Sequence, residues 1–139
     1  MMLGKKISEI SIGDSSELVK VITEKDVAMF GEITGDMNPA HFDAEYAAKT
    51  IFKKRIAHGM LCGSLFSTIV GTVLPGRGSI YLKQDLKFLA PVYLNDTLTA
   101  KVTVTEIIEA KNRVIFDTTT TNQDGIVVIT GSALIMPPR

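Results

Sequence analysis

The chain has 139 residues, enough to bury one sizeable core and too few for two independent domains of ordinary size. Its 15 Lys and Arg residues are balanced by 15 Asp and Glu residues, so no overall positive field is available to hold a nucleic acid. A single cysteine, Cys62, excludes a disulfide framework, and the longest apolar segment, residues 60–74, is too short and too mixed to span a bilayer, so we expect one soluble cytoplasmic domain over residues 1–139.

The first elements in chain order are a predicted edge strand and a predicted helix. β-Branched stretches at residues 7–12 and 18–22 flank a Gly-Asp-Ser turn at residues 13–15, which is typical of an edge strand and the segment leading into it. Thr23 and Asp26 have the spacing of a capping box, in which each side chain accepts a hydrogen bond from the other residue's backbone N–H. A helix is therefore expected to begin just after Thr23.

This helix should end at Gly35, because glycine readily adopts the left-handed conformation that ends helices. Turn-forming residues follow at positions 36–39, and a second short helix is predicted after Asp43. The segment between the two predicted helices is therefore expected to be a polar loop.

Residues 59–74 predict a long central helix, because they are apolar on nearly all sides and are followed by a Pro-Gly pair. Alternating apolar and polar residues then predict strands at 80–88, 97–105, 114–121 and 126–136, the last two joined by an Asn-Gln-Asp-Gly hairpin turn. The pattern predicts an α+β architecture in which a curled antiparallel sheet wraps around the central helix. Such a sheet leaves an edge open, and pairing of that edge in a homodimer is expected.

The residues with candidate chemistry lie in the polar loop. Asp36 and His41 are five residues apart, and a loop can turn both side chains toward one point. An imidazole, with an ordinary pKa of about 6.5, takes up or releases a proton near neutrality, and a nearby carboxylate can orient a water molecule or share the transfer. The alternative is that Asp36 and Asn38 are turn and cap residues and that His41 is an ordinary surface or packed histidine.

A resemblance to a known family is carried by the sequence TGDMNPAHFD at residues 34–43, which is similar to the signature of the MaoC-like (R)-specific enoyl-CoA hydratases. The sequence IAHGM at residues 56–60 resembles the segment that opens the central helix of that family, and residues 74–82 and 88–92 are also similar. The resemblance runs from about Val19 to the C-terminus. It implies a single hot-dog-fold domain, acting as a homodimer without cofactor or metal, that adds water to a trans-2-enoyl-CoA.

The resemblance also implies roles for particular residues. Asp36 and His41 would hold the water that attacks the β-carbon of the substrate. Asn38 would support the loop, and Ser67 on the central helix would position the catalytic pair. The backbone N–H of Gly59 would point at the thioester carbonyl, and this role has independent physical support, because a helix N-terminus exposes N–H groups with partial positive charge.

An apolar slot is needed for the acyl chain, and residues of the first and central helices are candidates to line it, although each is otherwise a core residue. They are Met29, Phe30, Met60, Leu61, Leu65 and Phe66. His58 is interpreted either as a second base or, more simply, as a structural residue at the start of the central helix. The cations near the first long strand are interpreted either as contacts for the coenzyme A phosphates or as solvated charges: Arg77, Lys83 and Lys87.

Three other functions stay open at this point. The same chemistry run backwards would dehydrate (R)-3-hydroxyacyl groups on acyl carrier protein. A hot-dog acyl-CoA thioesterase would use its carboxylate for hydrolysis. A non-catalytic acyl-CoA-binding module is the third, and it is disfavoured because the chain has no spare length for an output domain.

Overall fold

The computed structural model describes residues 2–139, and its main element is one six-stranded antiparallel sheet. The strands are β1 Ser15–Val21, β2 Ile80–Gln84, β3 Lys87–Phe88, β4 Thr97–Ile108, β5 Arg113–Thr121 and β6 Val127–Met136. They lie in the order β1-β4-β5-β6-β2, and β3 also pairs with β6. The sheet is therefore open, with β1 at one edge and β2 and β3 at the other.

Five helical segments connect β1 to β2, and the last two form the centre of the fold. They are α1 Glu24–Thr34, α2 Pro39–Phe42, α3 Ala44–Ala48, α4 Gly59–Gly63 and α5 Leu65–Thr72. Short 3₁₀ turns lie at Ile7–Glu9 and Glu109–Lys111. Within residues 2–139, no helix has the length and apolar character needed to cross a membrane.

The core lies where α5 packs against the sheet. α5 contacts β4, β1 and β2, and its Phe66 and Ile69 are buried together with Phe116 of β5. Alternate side chains of β4 are also buried, namely Leu98, Ala100, Val102 and Val104. Each large apolar side chain buried in this way contributes about 1.5–3 kcal/mol. The predicted α+β architecture, an open antiparallel sheet against a central helix in the hot-dog arrangement, is confirmed.

The predicted bounds of α1 and the start of α3 are confirmed. Thr23 Oγ1 accepts a hydrogen bond from the Asp26 N–H at 3.1 Å, and the Asp26 carboxylate accepts one from the Thr23 N–H at 3.0 Å. Gly35 follows the helix with a φ of 79°, in the left-handed region. Asp43 caps the start of α3. The hairpin turn between β5 and β6 is also confirmed, with Gly125 at a φ of 74°.

The predicted edge strand is present as β1 Ser15–Val21, and residues 7–12 lead into it without forming a strand. Ile7–Glu9 is a single 3₁₀ turn, closed by a hydrogen bond from the Lys6 N–H to the Glu9 carboxylate. The first strand begins only at Ser15, where the chain starts to pair with β4. β-Branched composition favours a pleated surface but does not supply the neighbouring strand that a ladder requires.

The central helix differs from the prediction in two ways. It is interrupted at Ser64, whose N–H bonds to the carbonyls of Met60 and Leu61 and whose hydroxyl donates to the Leu61 carbonyl at 2.6 Å. Serine hydroxyls that bond back to an earlier carbonyl often bend helices. The helix is also not apolar on all sides, because Ser64, Ser67 and Thr68 lie exposed on one face.

The strand predicted at residues 80–88 is divided into β2 and β3, and of its predicted apolar residues only Leu86 packs against the core. Ile80, Leu82 and Phe88 are 52%, 41% and 51% exposed, and Leu89 is 57% exposed. The register of β2 against β6 shifts between Tyr81 and Lys83, which interrupts the predicted alternation at Leu82. We call the four exposed residues the β2–β3 edge.

Truncating the Phe116 ring tests the position of the core. Because this side chain is fully buried, Phe116→Ala is expected to lower the free energy of unfolding by about 3–5 kcal/mol. Equilibrium urea unfolding measures this, with Lys101→Ala, an exposed residue of β4, as the control that changes it by at most about 0.5 kcal/mol. Equal effects in the two variants would contradict the assigned core.

Candidate active site

Asp36 lies in a turn held by side-chain-to-backbone hydrogen bonds. The Thr34 hydroxyl accepts from the Asp36 N–H, and the Asp36 carboxylate accepts from the Asn38 N–H, both at 3.2 Å. Asn38 in turn caps α2, with its side-chain oxygen accepting from the Ala40 N–H at 3.1 Å. The predicted polar loop therefore contains an additional helical turn, α2, which Pro39 begins.

His41 lies on α2 with a buried side chain and a defined tautomer. Its Nδ1 is 2.7 Å from the carbonyl oxygen of Ile56. Because a carbonyl only accepts hydrogen bonds, Nδ1 carries the proton, and Nε2 keeps a lone pair that can take up a proton. The backbone of His41 is also fixed, since Arg55 Nε donates to its carbonyl at 2.8 Å and Arg55 pairs with Glu24.

His58, immediately before α4, completes a cluster with these two residues. Its Nε2 is 3.0 Å from the backbone carbonyl oxygen of Asp36, and its ring centroid is 3.9 Å from that of His41. Side-chain ligand atoms of Asp36, His41 and His58 lie within 4.8 Å of one another. The structure thus brings the predicted pair together and adds a second imidazole beside it.

The surroundings of His41 change its pKa. Burial of the ring lowers the pKa of His41 below 6.5, and the neighbouring His58 lowers it further. The hydrogen bond to Ile56 and the Asp36 carboxylate act in the opposite direction but do not cancel the effect. His41 is therefore mostly an unprotonated imidazole at neutral pH, as a general base requires.

The same three side chains also offer donors that could hold a metal ion. One nitrogen of each ring is already used, since His41 Nδ1 and His58 Nε2 each bond to a backbone carbonyl, which leaves His41 Nε2, His58 Nδ1 and the Asp36 carboxylate. These groups are also the ones that an acid–base site needs.

A cavity of about 620 Å³ opens beside the cluster and is lined mostly by apolar side chains. Asp36, His41, His58 and Gly59 lie on its wall, together with Phe52, Met60, Phe88 and Leu89. Cys62 also lines it, and burial raises the pKa of the Cys62 thiol to about 12, with a smaller contribution from Asp96. That thiol is not ionised near neutral pH and is not a ready nucleophile.

The absence of a side chain at Gly59 leaves room for Phe88, which lines this cavity. A Cβ atom at this position would lie 2.8 Å from the ring of Phe88. Gly59 is also the first residue of α4, where N–H groups have no partner within the helix. Within residues 2–139 the Gly59 N–H has no hydrogen-bond partner, so an available backbone donor lies at the cavity wall, next to His58 in the chain.

The comparison with known proteins agrees with this geometry. The MaoC like domain family matches residues 11–125. The (R)-specific enoyl-CoA hydratase of Rhodospirillum rubrum is 49% identical over 130 residues, which are 94% of this chain and 90% of that protein. The chain belongs to the MaoC-like domain family.

Two solved structures of the MaoC-like kind resemble this chain closely. An R-hydratase from Pseudomonas aeruginosa in the unliganded form has a TM-score of 0.92 and 46% identity, covering 98% of this chain and 87% of that one. An (R)-hydratase from Aeromonas caviae has a TM-score of 0.90 and 41% identity, covering 93% of this chain and 98% of that one. The predicted family and fold are confirmed.

Of the site residues predicted from sequence, the structure brings Asp36, His41, Gly59 and Met60 to the cavity of this MaoC-like chain. The others lie elsewhere in the protomer. Asn38 is exposed in its capping position, Leu61 and Leu65 pack in the core, and Ser67 lies on the exposed face of α5. Met29 is exposed, and Phe66 is fully buried in the core, so neither is a wall residue.

Two features of this region were not predicted from the sequence. Phe52, Phe88 and Leu89 line the cavity, although residues 88–92 were already part of the resemblance. A second cavity of about 270 Å³ is lined by Lys53, Lys54, Arg55 and Tyr93, with Lys54 Nζ 4.5 Å from the Tyr93 ring centroid. The run of three cations at residues 53–55 was the available signal for it.

The pKa of His41 can be tested directly, because the chain has two histidines and the signal lost in His41→Gln identifies this one. We expect an NMR titration to give a pKa for His41 below 6.5. Asp36→Asn should lower the pKa further, because the variant removes a carboxylate that favours the protonated ring. A pKa that rises in Asp36→Asn would contradict the proximity of the two side chains.

Proposed function

We propose that the protein is an (R)-specific enoyl-CoA hydratase, which adds water to a trans-2-enoyl-CoA to give an (R)-3-hydroxyacyl-CoA. The observation that carries the proposal is the convergence of the Asp36 carboxylate and the His41 imidazole at the wall of an apolar cavity. The same function was expected from the sequence, and the activity named for the similar proteins agrees with it. These enzymes are hydro-lyases, and the cavity suits an apolar acyl chain.

The catalytic pair accounts for the proton transfers of the reaction. As the water oxygen bonds to the β-carbon, the electron pair of the double bond moves toward the α-carbon and the thioester carbonyl. The catalytic pair takes one proton from the water and gives one to the α-carbon, so its protonation state is restored at the end of the reaction. The unprotonated Nε2 of His41 is suited to accept the proton of water, and the Asp36 carboxylate to orient that water. Holding both groups against one water also removes the entropic cost of bringing them together during the reaction.

The thioester carbonyl oxygen gains negative charge as the water adds, and Gly59 supplies a donor for it. We assign this role to the Gly59 N–H, which lies at the cavity wall and at the start of α4. A donor of this kind typically lowers the barrier by about 3 kcal/mol. A Cβ atom at this position would lie 2.8 Å from the Phe88 ring, so any other residue here would require that ring to move.

The remaining predicted residues have supporting roles in this proposal. Asn38 supports the Asp36 loop through its cap on α2. Met60 contacts the acyl chain at the cavity wall, and Leu61 and Leu65 pack behind it. The positioning role expected for Ser67 stays a prediction. In the single chain this serine lies on an exposed face outside the cavity, so the role would require the proposed homodimer.

The alternative function, dehydration of (R)-3-hydroxyacyl groups on acyl carrier protein, differs in the carrier of the acyl group, which is acyl carrier protein instead of coenzyme A. Comparing kcat/KM on crotonyl-CoA with kcat/KM on the carrier-protein thioester decides between them. A thioesterase would release free thiol from acyl-CoA. Loss of enoyl absorbance without thiol release excludes that activity.

The main test of the function is hydration of crotonyl-CoA by the wild type, Asp36→Asn and His41→Gln. Each variant is expected to lose about a hundredfold or more of kcat, as when a positioned acid or base is removed. Asp117→Asn, an exposed carboxylate of β5, is the matched control and should keep wild-type activity. Chiral chromatography of the product should give the (R)-alcohol, and near-normal activity in either site variant would remove that residue from the mechanism.

We further propose that the protein is a homodimer whose two copies pair through the β2–β3 edge. Each copy is one domain, and we expect the dimer to be cytoplasmic. Ile80, Leu82, Phe88 and Leu89 expose apolar side chains on an open sheet edge beside the cavity, and such surfaces mark interaction sites. The buried free thiol of Cys62 is consistent with a reducing compartment.

The double variant Ile80→Lys, Leu82→Lys tests whether the dimer interface lies at the β2–β3 edge. Sedimentation velocity should show a wild-type dimer and a monomeric double variant, because charges at the centre of an interface are costly to bury. Val19→Lys on the opposite edge, where Val19 is also exposed, is the control and should stay dimeric. A monomeric Val19→Lys would place the interface at β1 instead.

A further inference from the structure

His58 has no role in the mechanism above, although it touches both members of the catalytic pair. Its side chain is only 2% exposed. Its Nε2 is 3.0 Å from the Asp36 carbonyl oxygen, and a carbonyl cannot donate, so the proton of His58 is on Nε2. The ring also stacks on His41 and contacts the rings of Phe30 and Phe42.

The hydrogen bond from His58 connects the Asp36 turn to a residue that is distant in the sequence. Among the described residues, the other hydrogen bonds of Asp36 are with Thr34, which accepts from the Asp36 N–H, and with Asn38, whose N–H donates to the Asp36 carboxylate. His58 is 22 residues away in sequence and lies at the start of α4. The position of Asp36 relative to the cavity therefore depends on this imidazole.

We propose that His58 is a positioning residue for the hydration: its N–H anchors the backbone of Asp36, and its ring packs against His41, so that the carboxylate and the imidazole keep one separation and orientation. The proposal rests on the function assigned to the pair. Misplacing a reacting group by about 1 Å through a change in its support can cost about a hundredfold in rate. This role uses the Nε2–H of His58, whereas a second base would use the lone pair that remains on Nδ1.

The charge state of His41 depends on the same contact. The groups that face its side chain or fix its backbone are the Asp36 carboxylate of the loop, His58 before α4, and Arg55, which is paired with Glu24 of α1. The Cys62 thiol of α4 lines the same cavity and is protonated near neutral pH. Because His58 lowers the pKa of His41, its removal should raise that pKa, while burial of the ring keeps acting in the other direction.

The tautomers of the two histidines give a first test that needs no activity. Long-range ¹H–¹⁵N correlation spectra of the wild type at high pH should show His58 protonated on Nε2 and His41 protonated on Nδ1. His58→Gln leaves His41 as the single histidine, so assignment is direct. A wild-type His58 protonated on Nδ1 would overturn the proposal.

The second test separates positioning from stability with two substitutions of His58. His58→Phe keeps an aromatic ring but removes the donor, and it should lower kcat on crotonyl-CoA by about tenfold to a hundredfold with a much smaller change in KM. His58→Gln restores a donor that can reach the Asp36 carbonyl and should recover part of kcat. In both variants the pKa of His41, and with it the acid limb of kcat/KM, should move to higher pH.

Phe42→Leu is the matched control for packing, because Phe42 contacts the rings of both histidines but does not line the cavity, and the variant keeps the hydrogen bond from His58 to Asp36. It should lower the thermal stability without selectively lowering kcat. Wild-type kcat and an unchanged His41 pKa in His58→Gln and His58→Phe would overturn the proposal, and His58→Gln alone decides if His58→Phe does not fold. If the wild type hydrates no enoyl thioester, the assigned function fails, whereas the tautomers and the His41 pKa still decide the role of His58.

Discussion

Two hydrogen bonds from imidazoles to backbone carbonyls hold the candidate active site together. His41 donates to the carbonyl of Ile56, and His58 donates to the carbonyl of Asp36. The bonds run in opposite directions between the segment that follows α1 and the segment that precedes α4, so each segment fixes a side chain of the other. The stacking of the two rings follows from this exchange, and the cavity opens where the segments meet.

The carbonyl acceptors also decide which nitrogen of each ring is available for chemistry. They place the proton of His41 on Nδ1 and that of His58 on Nε2. His41 therefore keeps a basic Nε2 in a cavity where burial lowers its pKa, whereas His58 Nδ1 is buried without a hydrogen-bond partner among the described residues. An unsatisfied buried polar atom costs about 1–3 kcal/mol.

How far the sequence predicts this molecule depends on how far apart the interacting residues are. The capping box of Thr23 and the hairpin glycine at 125 were predictable because their partners lie within a few positions. Asp36 and His41 could be paired because they share a loop and a family signature. The hydrogen bond from His58 to Asp36 could not be predicted, since 22 residues, including α2 and α3, separate the two positions. The exposure of Leu82 could not be predicted either, because it depends on a register shift that alternation alone does not reveal.

The packing of α4 explains why this site can exist beside a tightly filled core. Gly59 and Gly63 are four residues apart and therefore share one face of the helix. A Cβ atom at either position would approach Phe88 or Leu86 to within 2.9 Å, so two glycines let the segment that includes β3 lie directly against the helix. That segment then forms one wall of the cavity, and the N-terminal residue of α4 lies on the cavity wall. Glycine at position 59 therefore has two effects. It permits the close packing of α4 against this segment, and it leaves the Gly59 N–H accessible to a substrate carbonyl.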